Sequence, residues 1–308
     1  MTSVGTVPYT PGHEEDEPLY GYLGRVYAHN FACPSRRFLQ MIFGPQKAVC
    51  SADLPSNLVE MLSRWPEVHY PYHRLFLMQE RWSQLMERAA YGPGSSLKVW
   101  LGLAAHRFPA SATFRSCIGC DRQSWDSRGV LHWHRAHMLP GVLICPIHRI
   151  PLIAHHVQSA DTARNPVRLP PLPGTPVRVD RGNLDALTPF ALTSGEALWS
   201  SSACGLTGES CTRIYQARLA ELRISSPSGR IDWRQLTDLI LAQCNGFRGW
   251  GVGPRITELS GNALCWLYEL FRDRGRACHP LTHIILINSL FGSIADYAQA
   301  TADFINSG

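Results

Sequence analysis

Apolar residues recur at helical spacing through most of this chain, and polar or proline-rich stretches separate the runs. Residues 1–15 form an extended polar lead. Asp16-Glu17-Pro18 then predicts a helix start, since acids suit the positive end of the helix dipole and proline suits an early helical position. Leu19, Leu23, Val26 and Tyr27 follow on one face. A second helix is expected from Pro34-Ser35, with Phe38, Leu39, Ile42 and Phe43, closed by Gly44-Pro45. A third is expected over Ser56 to Trp65. A longer one runs from about Leu75 to Ala90, with Leu77, Met78, Trp82, Leu85 and Met86 as its buried stripe. Short helices with tight turns fit a helix-turn-helix unit and an ordinary small bundle equally well, and periodicity does not separate the two.

Between Arg164 and Gly182 stand Pro166, Pro170, Pro171, Pro173 and Pro176. That density disfavours helix and predicts an extended surface connector at a domain boundary. From about Pro189 the pattern is helical again. Ile214, Ala217, Leu219 and Leu222 line one segment, and a turn follows at Ser225 to Gly229. Asp232 is placed to cap the next helix, with Gln235 as its partner in a capping box; Leu236, Leu239, Ile240 and Leu241 continue it. Leu264, Trp266, Leu267, Leu270 and Phe271 mark another helix. After His279-Pro280, Leu281 to Phe291 is almost wholly apolar, which predicts a buried central helix ended by Gly292. No internal repeat is visible. The expected fold is mainly α, divided into an N-terminal helical domain (1–110), a metal module (111–156), a proline-rich connector (157–188) and a C-terminal helical domain (189–308).

Composition narrows the class. With 308 residues and 45% apolar content the chain is long enough for two or three cores. The net charge is +5, and of 29 basic residues only Lys47 and Lys98 are lysines. An arginine excess reflects either a GC-rich coding bias or a surface that uses the planar guanidinium fork on phosphates and bases. Residues 2–17 are polar and acidic, unlike a secretory signal, and the longest apolar run, Ile284 to Phe291, is far too short to span a bilayer. The expectation is a soluble cytoplasmic protein with no membrane partner, and a reducing compartment suits thiolate ligands.

The candidate chemistry is concentrated in four residues. Cys117 and Cys120 form C-x2-C, 24 residues intervene, and Cys145 and His148 form C-x2-H. Three thiolates and an imidazole at this spacing predict a tetrahedral Zn²⁺ site with no open position, hence one structural Zn²⁺. The competing reading is four unrelated groups in a disulfide or a core, which two knuckles in register disfavour. Each pair sits on a tight knuckle, and Gly119 is read there as a residue able to take positive φ. Trp125, Leu131, Trp133 and Leu139 are expected to cap the metal-nucleated core. The other cysteines are scattered without framework spacing. His132, His134 and His137 crowd the insert, and are read as a second metal site, as outer partners of the zinc, or as hydrogen-bond partners of the knuckle backbone. No nucleophile with a base and an orienting group is evident, so catalysis is not expected. Glu14 to Glu17 lack the spacing of a nuclease acid set and read as a solvated helix start or a docking strip. His155 and His156 read as surface residues.

Arginines gather in the C-terminal part. Arg230 and Arg234 bracket a helix start after a turn, the way a recognition helix presents its first residues to bases; a solvated helix face is the alternative. Arg272, Arg274 and Arg276 alternate in a loop suited to phosphates.

From Cys117 to Leu152 the chain reads CIGCDRQSWDSRGVLHWHRAHMLPGVLICPIHRIPL. This stretch resembles the signature of the TniQ/TnsD family, in which a CPxC knuckle and an acidic residue precede YWRxxHQLPG and a CxxH knuckle. Trp133, Arg135, His137, Leu139, Pro140 and Gly141 match it, along with all four ligands. Ile118, His132 and Met138 depart from it and remove no ligand. Pro8-Tyr9, Asp16-Glu17, Leu19-Tyr20 and Arg25 are similar to the family's opening, and Tyr215 to Leu236 with His279 to Leu286 to the second helical region of its longer members. The resemblance implies an N-terminal helix-turn-helix-like domain, a zinc-knuckle module and further helices, and the C-terminal helical domain is also expected to be helix-turn-helix-like. It implies a target-site selection adaptor for DNA transposition, not an enzyme, that binds duplex DNA and recruits the transposon AAA+ ATPase. Tyr9, Asp16 and Glu17, in a polar segment with little reason to pack on its own core, are the expected docking residues for that ATPase. The alternatives are an adaptor on an RNA-guided CRISPR effector complex, with little DNA readout of its own, and a zinc-stabilised transcription regulator. Self-association into a dimer stays open. Longer members continue past the helix at 280–290, so the chain is either a naturally short adaptor or part of a longer binder.

Overall fold

The structure, a computed structural model, describes residues 9–14, 16–30, 34, 37–38, 40–41, 113–156, 169–170, 175–177, 181–199, 208–244, 257–261, 263–272 and 278–307. The expected helices at 56–65 and 75–90, with Arg274 and Arg276, lie outside the described residues. Those described are mainly helical, and the chain divides into two compact units.

The first unit holds the N-terminal segment and the metal module. Helix α1 (Leu19–Asn30) buries Tyr20, Tyr22, Leu23 and Val26. Its preceding acids do not serve the helix dipole. Glu17 is fully buried, and both its oxygens bind Arg25, at 2.8 Å to Nε and 2.5 Å to Nη2. Arg25 Nη2 also donates to the Gly12 carbonyl at 2.6 Å. Tyr9 and Asn30 exchange two hydrogen bonds, and Glu14 pairs with Arg128. Residues 9–14 and 16–17 therefore form a strap across α1, where a lead with little reason to pack was expected. A buried guanidinium inside a helix supplies the reason, because it needs a carboxylate and a carbonyl brought to it.

Strand β1 (Thr113–Ser116) pairs antiparallel with β2 (Ile153–His156), Ser116 opposite Ile153, and β2 pairs with β3 (Thr175–Pro176) at the other side. Pro176 thus stands on an edge strand, where its missing N–H costs no ladder bond. Between β1 and β2 lie α2 (Ile118–Arg128) and the single-turn α3 (Arg135–Met138). The core joins Tyr20 to Phe114 (ring centroids 4.5 Å) and Phe114 to Trp133 (5.1 Å). Trp133 and Leu139 are buried as expected, but Trp125 is 59% exposed. The inward face of α2 carries Cys120 and Ser124 one turn apart, and the next residue is rotated about 100° away from it. His155 is also a correction: it is buried, hydrogen-bonded to Ser116 Oγ at 2.9 Å and edge-on to Trp133.

The second unit contains α4 (Arg181–Trp199), α5 (Gly208–Glu221), α6 (Trp233–Cys244), α7 (Cys265–Arg272), α8 (Pro280–Leu290) and α9 (Ile294–Ser307). A small hairpin, β4 (Leu259–Ser260) and β5 (Ala263–Leu264), precedes α7. Helix α4 starts at Arg181 and runs through Pro189, which sits exposed inside it while Leu187, Phe190, Ala191 and Ser194 face inward. Packing of that face overrides the proline's helix-breaking tendency. Asp232 caps α6 as expected, its Oδ1 accepting from Arg234 N and Gln235 N, both at 3.1 Å. The stripe of α5 is Cys211, Ile214, Tyr215 and Leu219, with Ala217 exposed, because Tyr215 can enter the core with its hydroxyl held 3.0 Å from His283 Nδ1. Helix α8 is the expected central helix. Leu281, Ile284, Ile285, Leu286, Ile287 and Leu290 are buried, His279 Nδ1 accepts from Leu281 N, and Gly292 takes φ 83° at its end. Arg218 Nε donates to the Leu290 carbonyl. No single helix among the described residues is long and apolar enough to cross a membrane.

Candidate metal centre

β1 leads directly into the first knuckle. Cys117 is the extended residue before α2, and its carbonyl accepts from Asp121 N at 2.9 Å. Cys120 lies one turn in and faces the same side. The second knuckle is a hairpin tip whose arms are fixed by Leu152 N to Leu143 O (2.9 Å) and Cys145 N to Ile150 O (2.8 Å). The turn closes through Arg149, which donates from its N–H to Cys145 O and takes φ 55°. The four donor atoms all lie within 4.8 Å of one another. Cys120 Sγ is 3.6 Å from Cys145 Sγ, and His148 Nδ1 is 3.6, 3.3 and 3.7 Å from the sulfurs of Cys117, Cys120 and Cys145. The three cysteines are fully or almost fully buried. Such a cluster can hold a metal ion.

Gly119 belongs to this geometry for a reason the sequence reading misplaced. It lies in the first turn of α2 and is not among the positive-φ glycines. A Cβ there would stand 2.7 Å from Cγ and Cδ2 of His148 and 2.9 Å from Nδ1. Glycine is needed for the imidazole to reach the thiols, not for the turn.

The thiols share their protons unequally. Hydrogen bonds from Cys120 and Cys145 push the Cys117 thiol below its ordinary value. The bond to Cys117 pushes Cys120 well up, and for the same reason Cys145 is pushed up to about 11.

A second layer surrounds the ligands. His137, 1% exposed on α3, places Nε2 3.6 Å from Cys120 Sγ. Arg115, buried on β1, donates from Nε to the His137 carbonyl (2.8 Å) and from Nη2 to the Leu139 carbonyl (2.9 Å). Burial lowers the Arg115 guanidinium to about 10 and the His132 imidazole to about 3. The His134 ring lies tilted between those of His132 (centroids 4.3 Å apart) and His137 (4.9 Å), with its Nδ1 3.5 Å from Asp16. Among the described residues this triplet does not join a second group of metal donors.

The remaining expected residues are spread over both units. Tyr9 is 55% exposed and edge-on to His29, whereas Glu17 is buried against Arg25 and Asp16 faces α3. Arg230 and Arg234 are exposed around the start of α6, and Arg272 is exposed at the end of α7. Arg115 was not singled out from the sequence, and Arg25 was noted only as part of the family resemblance, without its buried partner. Arg25 had a readable signal, an arginine between Leu23 and Val26 on an apolar face; Arg115 had none.

Residues 8–152 match the model of the TniQ family, and residues 193–305 that of Tn7-like transposition protein D. The chain belongs to the TniQ/TnsD family. It is 24% identical over 316 aligned residues to the Transposon Tn7 transposition protein TnsD of Escherichia coli, covering 92% of this chain and 57% of that protein. The TniQ match contains the whole Cys/His cluster, and the TnsD match contains α5 to α8.

Proposed function

We propose that this TniQ/TnsD protein selects target sites for a Tn7-type transposon. The observation that carries the reading is the pairing of a TniQ match over the metal module with a TnsD match over the helical unit, in a chain that aligns over 92% of its length with a named transposition protein. In this reading the chain binds duplex DNA, recruits an AAA+ ATPase and has no catalytic activity of its own. The cluster holds one structural Zn²⁺. With Zn–S about 2.3 Å and Zn–N about 2.05 Å, a tetrahedron has S–S edges of about 3.8 Å and S–N edges of about 3.6 Å. Four of the six edges, at 3.3–3.7 Å, support an ion of that size. Exposed Arg230 and Arg234 at the capped start of α6, with Arg272, support DNA contact in the second unit.

The test is a duplex-binding titration over a range of salt. Each neutralised phosphate contributes about 0.9 to the slope of log affinity against log salt. Arg272→Ala is expected to weaken all sequences alike and lower the slope by about 1, whereas Arg234→Ala alters sequence preference. Absence of duplex affinity at low salt would reject DNA readout and move target choice to a docked partner such as an RNA-guided effector complex.

A further inference from the structure

The metal centre has an outer support that begins 120 residues away along the chain. Asp16 lies at the end of the strap over α1, with its side chain 12% exposed. Its carbonyl accepts from Arg135 N at 2.7 Å, and its Oδ2 from Ala136 N at 3.4 Å. The residue before α3, His134, makes no side-chain cap of its own. Asp16 thus satisfies the first N–H groups of a four-residue helix that would otherwise leave them open. At the other end, Arg115 binds the carbonyls of His137 and Leu139. Helix α3 is held at both ends, and the side chain it presents to the ligands is His137.

The chemistry of that contact follows from burial. His137 Nδ1 is buried without a hydrogen-bond partner. A neutral imidazole carries one N–H. Leaving that N–H unmet in the core costs more than leaving a lone pair unmet. The proton therefore sits on Nε2, 3.6 Å from Cys120 Sγ. A metal ion shared by three thiolates leaves excess negative charge on sulfur, and an N–H donor at one sulfur stabilises it.

We infer that His137 donates its Nε2–H to the Cys120 thiolate, and that Asp16 and Arg115 are positioning residues for this donor, so that the N-terminal strap governs how firmly the centre keeps its metal. The inference rests on the metal reading above.

The experiment uses the full chain loaded with Zn²⁺ or with Co²⁺. It follows transfer of Zn²⁺ to a chromophoric chelator and the sulfur-to-Co²⁺ charge-transfer absorption. His137→Ala should weaken metal retention by about 10- to 100-fold and shift that absorption. His137→Gln, whose amide N–H can reach the same sulfur, should restore most of both. Asp16→Ala should weaken retention in the same direction, and Asp16→Asn, which keeps the acceptor oxygen, should not. His132→Gln, at a ring with no ligand contact, should leave the absorption unchanged. Wild-type retention and absorption in His137→Ala would overturn the inference. Equal losses in His137→Ala, His137→Gln and His132→Gln would also overturn it, by showing a packing effect. Failure of the unaltered chain to take up either ion would instead remove the metal reading itself, and the inference with it.

Discussion

Gly119→Ala sets two effects against each other, and the structure decides the sign of each. Alanine in the first turn of α2 meets no backbone strain and gains about 0.5–1 kcal/mol in helix propensity. With His148 placed among the thiols as in this structure, its Cβ would stand 2.7 Å from the ring, and ordinary contact begins at 3.4 Å, so the ring must retreat by about 0.7 Å. Metal–ligand bonds tolerate only about 0.2 Å. The ring therefore cannot move away and stay in the tetrahedron. Overpacking of this kind costs about 1–3 kcal/mol, which is about 5- to 150-fold in metal affinity. Without metal, His148 is free to swing outward, and only the propensity gain remains. The expected result is a variant that melts no lower than the parent under strong chelation but lower in the presence of Zn²⁺. Thermal denaturation with and without metal, together with a Zn²⁺ competition titration, measures both. Parental metal affinity in Gly119→Ala would refute the argument that this glycine exists to admit the imidazole.

Three further outcomes are expected. Arg25→Ala leaves the Glu17 carboxylate buried without its guanidinium and should cost about 3–5 kcal/mol in denaturant unfolding. Burial already raises the Glu17 carboxyl above its ordinary 4.5, so the folded state holds that proton longer than the unfolded chain; the penalty in the variant should shrink below that pH and grow above it. With the Cys120 and Cys145 thiols raised, metal uptake near neutral pH should expel thiol protons. Affinity should then rise with pH between pH 7 and 8.5 in a competition titration; a pH-independent affinity would refute ligation by these thiols. Asp232→Ala removes the acceptor for two N–H groups of α6 and should cost about 1 kcal/mol of stability by calorimetry.

The four donors were legible because ligation constrains both residue type and spacing, and two knuckles carry that constraint in contiguous sequence. Helix α8 was legible for a similar reason: an unbroken apolar run between His279-Pro280 and Gly292 has few other solutions. What the sequence concealed depends on partners far apart in the chain. Glu17 and Asp16 look like any acids before a helix; their roles come from Arg25 across the strap and from α3 across more than a hundred residues, and neither leaves a periodic trace. Trp125 belongs to the metal insert by composition, yet the phase of α2 is set by Cys120, and that phase turns the indole to solvent. Pro189 looked like a boundary because propensity disfavours it inside a helix, and burial of the residues on either side of it outweighed that preference. Helix-turn-helix geometry in the two helical regions depends on such distant packing too, and periodicity alone could not supply it.

The contact between Asp16 and Ala136 spans 120 positions, and this has a consequence for the order of synthesis. A ribosome adding about 5–20 residues per second delivers the strap and α1 first, and needs roughly 7–30 s to reach His148. Tyr20 waits for Phe114, Asp16 waits for the N–H groups of α3 at 135–138, and the metal ion lacks its fourth ligand until His148 follows. The first unit cannot mature from its N-terminus onward. It closes late, when the second knuckle and then strands β2 and β3 have emerged.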